Sequence, residues 1–399
     1  MTKLDTVKNL ASRAGLFFLF LTCLFIPFST SLMGAAAIAT TACWLLSGQP
    51  LTLPRLIRNN GPVFWAMILF LLLVIGLSYS PAPLPESLAV LKKYRELFYF
   101  VVTVSLVMHH PQAAQRAEDG FVAGCVLLLL VSYAMFFGLI PTHKFGYSIV
   151  YHITHSFFMA VLAFWCLQRA FNRVPHLVRI FWLLLFIAAT VNLFYIAPGR
   201  TGMLVYIALL LLTLIQRLPW QYSIPAGLLT AALIAVTFYS SSNFSTRVME
   251  ALDEIHNYQA ESSRTSLGMR FDWWQNSLQL ISEKPLFGHG TGSFSKAQAA
   301  LIEGTKTKAT DNPHNEYLLL GVQSGLLGTG LFVAFLLSLL VRSISLLPPQ
   351  RFLLQGVVVA MAAGCLMNSF LLDSHPGHFF AVLAGLLSIP PATATRLRM

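Results

Sequence analysis

The sequence predicts an all-α polytopic membrane protein, and three observations carry that expectation. Hydrophobic residues make up 56% of the chain and charged residues only 10%. Mean hydropathy is +0.69. Apolar runs long enough to cross a hydrocarbon core recur along most of the 399 residues. Inside hydrocarbon every backbone polar group needs a partner within the chain, so each crossing run reads as a helix. This composition excludes the roughly two or three soluble domains that length alone would allow.

Taken in order, the runs give about twelve spans. The uncharged run 14–48 is too long for one pass and breaks at Pro27, which makes two. Further spans are expected at 63–79, 97–108, 121–140, 153–168, 180–196, 202–216 and 224–239. A polar stretch over 240–310 follows, and three more spans at 318–341, 352–372 and 378–389 complete the set. The chain thus divides into membrane helices over 1–239, a large loop with short helices over 240–316, and membrane helices over 317–399. The N-terminus is basic, but no small-residue cleavage site follows the first apolar run, so that run reads as a retained helix. The five cysteines lie in apolar runs without metal-ligand spacing, so no disulfide framework is expected.

Charge sets the expected orientation. With both termini cytoplasmic, most basic residues of the short connections fall inside, among them Lys3, Lys8, Arg13, Arg55, Arg58 and Arg116. The long polar loop is then outside. The short outer connections carry only Lys92, Lys93, Arg95, Lys144 and Arg200, and each of these runs against the rule. The net charge of +11 points to anionic partners, with lipid headgroups first and a phosphorylated ligand second, and not to nucleic acid.

Four stretches carry candidate chemistry. In the first, Leu88, Leu91, Tyr94 and Phe98 share one helical face while Lys92, Arg95 and Glu96 lie on others. Two roles stay open for this cluster: snorkelling anchors at a helix end, or a phosphate-facing group. In the second, Pro198 and Gly199 make a turn that leaves Arg200 at the start of a helix. A cation at a helix N-terminus is mildly unfavourable unless an anion is shared between them. In the third, a short helix is expected near 248–258, then an amphipathic one on which Met269, Trp273, Leu280 and Ile281 recur as an interfacial face. Arg270 lies at its start. The run Gly288-His289-Gly290-Thr291-Gly292 after it reads as a tight turn, with phosphate cradling the weaker alternative. In the fourth, Pro313 biases Asn312 towards extended backbone, and Asp311 or Asn312 can cap a helix starting near His314. His314 beside Glu316 is either a general base held at a helix start or a polar residue that solvates a helix end. The pairs His152/His155 and His375/His378 are spaced three apart, but neither has a third ligand in sequence, so no metal is expected and they read as capping or lining residues.

Together these motifs form a recognisable combination. Arg270-x-x-Trp273, Pro285-Leu-Phe-Gly288-His-Gly290-Thr-Gly292-x-Phe294, Pro313-His314-Asn315-x-Tyr317 and Gly325-Leu-Leu-Gly328 resemble the C-terminal signature of the O-antigen ligase and polymerase superfamily. Gly199-Arg200-Thr-Gly202 resembles its upstream arginine motif. The likeness covers 198–328 by motif and the rest by topology, and is greatest to the O-antigen ligase (WaaL-like) branch. It implies a GT-C-like membrane enzyme of the bacterial inner membrane with its site on the periplasmic side. The reaction it implies moves a glycan from undecaprenyl diphosphate to a sugar hydroxyl of lipid A–core, with inversion and without metal or other cofactor. His314, Arg200 and Arg270 are carried over as catalytic. Arg264, Lys92, Lys93, Arg95, Asn315 and Tyr317 are carried over as substrate-binding, the first four on looser spacing. The chemistry fits independently: a diphosphate leaving group needs cationic clamps, and the acceptor hydroxyl needs a base. The alternatives are a polymerase or protein O-oligosaccharyltransferase of the same superfamily, and a lipid-glycan transporter. A transporter places ionisable residues mid-membrane, whereas these spans are almost free of charge.

Overall fold

The computed structural model describes residues 3–258, 260 and 265–390. Its regular structure is helical, with no β-strand among the described residues. Helices α1 (Lys3–Phe25) and α2 (Thr30–Leu46) pack together across the break at Pro27, and Ser29 caps α2 by accepting the Leu32 N–H at 3.3 Å. A sharp bend of 73° separates α2 from the segment Gln49–Asn59 that contains α3 (Leu53–Asn59). Asn60 caps α4 (Gly61–Ile75), with Pro62 in its first turn. Then come α5 (Leu84–Lys93), α6 (Glu96–His109), α7 (Gln112–Phe136), α8 (His152–Ala170), α9 (His176–Val191), α10 (Arg200–Arg217) and α11 (Ser223–Ser240). The polar stretch holds α12 (Ser242–His256), α13 (Ser266–Glu283) and α14 (Phe294–Leu301). Three helices complete the order: α15 (Glu316–Ile344), α16 (Pro348–Cys365) and α17 (Ser374–Leu387).

The bundle is built around its two short helices. α6 and α17 have 14 residues each and are buried on nearly every side. At about 1.5 Å per residue each is about 21 Å long, less than a hydrocarbon core of about 30 Å. They pack on each other, and α1, α4, α7 and α16 pack against one or other of them. Aromatic contacts hold this region together: Phe100 meets Phe335 edge-on at 5.1 Å, Phe157 meets Phe370 edge-on at 4.9 Å, and Phe121 meets Phe379 tilted at 5.3 Å. α9 is the reverse case. It buries only Ala189, while Leu177 is 78% exposed and Phe181, Leu184 and Ile187 are also exposed. Such a face is stable only against lipid or another apolar surface.

By length and composition, six helices among the described residues can cross a membrane, or up to seven if the bent pair is one span. The chain is a multi-pass membrane protein. That measure gives fewer spans than the twelve expected, partly because α6 and α17 are too short to qualify. The span expected over 352–372 also ends early: α16 stops at Cys365, and a turn leads to α17.

Two packing arrangements position the site. First, the apolar face of α13 does not lie free at an interface as expected. Leu280 joins Leu319 and Val322 of α15 in one buried cluster, with Ile281 packed against it. The tip of Ile281 packs onto the bare backbone of Gly321, where a Cβ would come within 2.6 Å of its Cδ1. Second, α15 is broken at Gly325, whose φ of 65° and ψ of −168° are not helical. The polar groups freed by the break are taken up by the glycine-rich loop. His289 and Gly290 donate to the carbonyls of Val322 and Gln323, both at 2.8 Å, and Leu326 donates to Pro285 at 2.7 Å. Irregular backbone at membrane depth survives only where such partners exist.

Candidate active site

The site forms where the starts of α10 and α13, the turn before α15 and the turn after α16 meet. Gly202 sets the position of α10. A Cβ there would lie 2.4 Å from the Ser156 backbone, so only glycine lets α10 seat this closely on α8. Arg200 is the first residue of α10, as expected. Its Nη2 donates to Glu254 at 2.8 Å and to Glu250 at 3.3 Å, both on α12. Its Nε is buried without a hydrogen-bond partner among the described residues. Next to it, Thr201 accepts the Asn368 amide at 2.9 Å.

Arg270 lies in the first turns of α13, whose N-terminus is capped by Thr265 through the Gly268 N–H. It is half-buried, and among the described residues it makes no hydrogen bond or ion pair. Burial, and after it the Arg200 charge, push its pKa below the usual guanidinium range, with Tyr151 and Glu254 working the other way. A guanidinium withdrawn from water with no carboxylate in direct contact is unfavourable, and an anionic ligand would relieve it.

His314 does not begin or cap a helix. α15 starts at Glu316, and its cap is Asn315, which accepts the Leu318 N–H at 3.1 Å. This replaces the expected cap at Asp311 or Asn312. Asn312 instead accepts the His314 N–H at 2.8 Å and the Ser369 hydroxyl at 2.7 Å. His314 itself has a left-handed backbone, φ 54°, the one non-glycine case among the described residues. The imidazole lies against Trp273 with ring centroids 5.5 Å apart, and Trp274 donates to the Pro313 carbonyl at 2.9 Å. Burial, then the Arg270 charge, hold its pKa below the ordinary imidazole range; the Asn368 side chain and Asp311 act in the opposite direction. The ring is therefore neutral at neutral pH and competent to accept a proton.

The structure thus brings Arg200, Arg270 and His314 into one electrostatically coupled group. The other candidates fall differently. Arg264 lies outside the described residues. Lys92 and Lys93 are exposed at the end of α5, and Arg95 faces Glu96 at 3.7 Å. No hydrogen bond or ion pair among the described residues joins these three to Arg200, Arg270 or His314. Asn315 donates to Leu366, and the Tyr317 hydroxyl donates to Ala362, both at 3.1 Å, so both side chains bind the α15 start to α16 and the turn after it. Glu316 is fully buried and accepts from the Tyr94 hydroxyl at 3.2 Å and from the Leu371 and Leu372 N–H groups at 3.0 and 3.3 Å. The glycine run is a staple: besides the bonds to α15, Thr291 donates to Gly76 at 3.0 Å and Gly292 donates to the Gln323 side chain at 2.7 Å. Among the paired histidines, His155 is held between Ser148 and Asn192, and His378 faces Glu96 at 2.9 Å.

Sequence reasoning missed Asn368 and Glu254. Asn368 links Thr201 to the His314 ring across the site. Its signal was the polar pair Asn368-Ser369 inside an otherwise apolar run, which marks the end of α16 rather than mid-span.

A family model described as O-antigen ligase, Wzy_C, matches residues 183–333, which contain all three residues. An uncharacterized protein of Haemophilus influenzae is 32% identical over 119 residues, 29% of this chain and 29% of that protein. The alignment therefore spans under a third of that relative's length. The domain at 183–333, which carries both the arginine and the histidine motifs, is thus one of the O-antigen ligase superfamily.

Proposed function

We propose that the protein is an O-antigen ligase that transfers a glycan from undecaprenyl diphosphate to a sugar hydroxyl of lipid A–core. The observation that carries this reading is the half-buried Arg270, without a direct ion pair among the described residues, beside Arg200 and a neutral His314. Two guanidiniums and a base at one end of a lipid-embedded bundle match a membrane-anchored diphosphate donor. In this reading the acceptor oxygen attacks the anomeric carbon as its proton passes to His314 Nδ1 or Nε2. The bond from that carbon to the phosphate oxygen breaks, and the departing diphosphate takes the electron pair. The guanidiniums stabilise that growing negative charge, which is why the chemistry needs no metal. A single displacement inverts the anomeric carbon. Glu316 is excluded as the base because its carboxylate is buried and committed to Tyr94, Leu371 and Leu372.

In the same reading residues 240–316 lie in the periplasm, both termini lie in the cytoplasm of the inner membrane, and Arg264 and the Lys92–Arg95 cluster contribute to binding the lipid-linked substrates. The test is a deletion strain analysed for carrier-linked and lipid-A-linked glycan. Loss of a ligase leaves long polymer on the prenyl carrier and bare lipid A–core. Single repeat units on lipid A–core would instead identify a polymerase, and unchanged lipopolysaccharide with an unglycosylated protein would identify a protein oligosaccharyltransferase.

A further inference from the structure

Glu254 joins two groups that together suit a phosphate. One carboxylate oxygen accepts the Arg200 Nη2 at 2.8 Å, and the other accepts the Leu267 N–H at 2.7 Å in the first turn of α13. A guanidinium and a free N–H at a helix start are the donors that proteins use to hold phosphate oxygens. Here both are engaged by a side chain of the same protein. The fit is incomplete: Arg200 offers the carboxylates only Nη2, while its Nε is buried and unpartnered among the described residues. A phosphate group, with more oxygens than a carboxylate, can use both edges of the guanidinium.

The helix that brings Glu254 there is unevenly held. The start of α12 is anchored: Ser241 donates to the Phe194 carbonyl at 2.7 Å, and Phe244 packs on Phe194 at 5.1 Å. Towards its end, Met249, Leu252 and Ile255 are exposed, so the bundle does not bury that face. What ties this half down are the contacts of Glu250 and Glu254 and, just past its end, Tyr258, which donates to Asp272 at 2.7 Å and meets the Phe271 ring at 5.2 Å.

We propose that Glu254 sits in the seat of a donor phosphate, making α12 a displaceable plug over Arg200. Binding of a prenyl diphosphate then expels the carboxylate, shifts α12 between its tethers at Ser241 and Tyr258, and transfers Arg200 and the Leu267 N–H to the phosphate. This rests on the reading of Arg200 as a diphosphate clamp. Glu254 is accordingly not a catalytic residue but an internal competitor of the donor.

The experiment uses the full chain in lipid nanodiscs, titrated with geranyl diphosphate as a water-soluble prenyl diphosphate. Glu254→Gln keeps an acceptor oxygen for the Leu267 N–H but removes the competing charge. It should bind the probe roughly three- to tenfold tighter, the scale of one partly exposed ion pair. Glu250→Gln, on the exposed side and with little risk to folding, should shift affinity the same way by less. In transfer assays Glu254→Gln should lower the donor KM rather than raise kcat. If Glu254 only orients Arg200, Glu254→Gln will weaken binding and raise KM, and the plug is overturned. Unchanged affinity in both variants, with Arg200→Ala still binding poorly, also overturns the plug but leaves the clamp intact. If Arg200→Ala binds the probe as wild type does, the clamp and the plug fall together.

Discussion

His314 is held in a backbone conformation that costs a β-carbon-bearing residue on the order of 1–3 kcal/mol. Asn312, Trp274 and the ring of Trp273 supply the contacts that hold it. If the imidazole is the base, His314→Ala should lose roughly 100- to 10,000-fold in transfer rate while geranyl diphosphate still binds through the arginines. His314→Gln should behave like Ala, since an amide does not hold a proton; near wild-type turnover in Gln would reduce His314 to a positioning role. The neutral ring is the active form, so the rate should fall as pH drops through its pKa. That pKa lies below the ordinary value because of burial and then Arg270. Removing the Arg270 charge takes away one of these two effects, so the acid limb of Arg270→Ala should move to higher pH. An acid limb that stays in place would show that the titrating group is not His314. Arg200→Ala and Arg270→Ala should each lose roughly 100- to 1,000-fold in kcat, and Lys should rescue only partly because it lacks the planar fork. The motifs in the sequence single out all three residues. Asn368 and Glu254 were not legible there because neither lies in a motif; their importance comes from which distant groups they meet.

The elements were legible where periodicity or punctuation is strong. The break at Pro27 and the start of α10 at Arg200 follow from local sequence, as does a helix near 248–258, although α12 begins earlier, at Ser242, and ends at His256. The destination of the α13 face did not, because the same apolar stripe suits an interface or a neighbouring helix, and Leu319 and Val322 on a distant segment decide between them. The α15 break behaves likewise. One glycine among several in an apolar run reads as part of a continuous helix, yet Gly325 turns the chain because the 285–292 loop is there to take up the freed polar groups. Gly325→Ala should therefore be strongly destabilising: a Cβ would lie 2.2 Å from the Leu286 carbonyl oxygen, on top of about 1–3 kcal/mol of backbone strain. Gly330→Ala, five residues further in the same helix with open space around it, should be neutral or stabilise by up to about 1 kcal/mol. Thermal unfolding of the purified variants in detergent separates the two, and equal melting temperatures would argue that α15 is continuous.

At the scale of the molecule, the orientation is open to a direct test. Asn257→Cys, exposed at the end of α12, should react with an impermeant thiol reagent in intact spheroplasts. Arg173→Cys, exposed in the turn after α8, should react only after lysis. The native cysteines interfere little, as four are buried and Cys43 is half-buried; the opposite labelling pattern would invert the topology. Composition alone determined that the chain is helical and lies in a membrane, because hydrocarbon permits few ways to satisfy a backbone and the apolar runs leave no soluble alternative. Short motifs determined which residues to suspect, because a cation at a helix start or a histidine after proline carries its chemistry locally. Only the tertiary structure decided the pairings. Arg200 and Glu254 are 54 residues apart, Thr201 and Asn368 are 167 apart, and Tyr94 and Glu316 are 222 apart. Hydropathy records how apolar each segment is. It does not record which helices become neighbours, and that neighbourhood decides which polar groups are spent on the scaffold and which are left to meet a ligand.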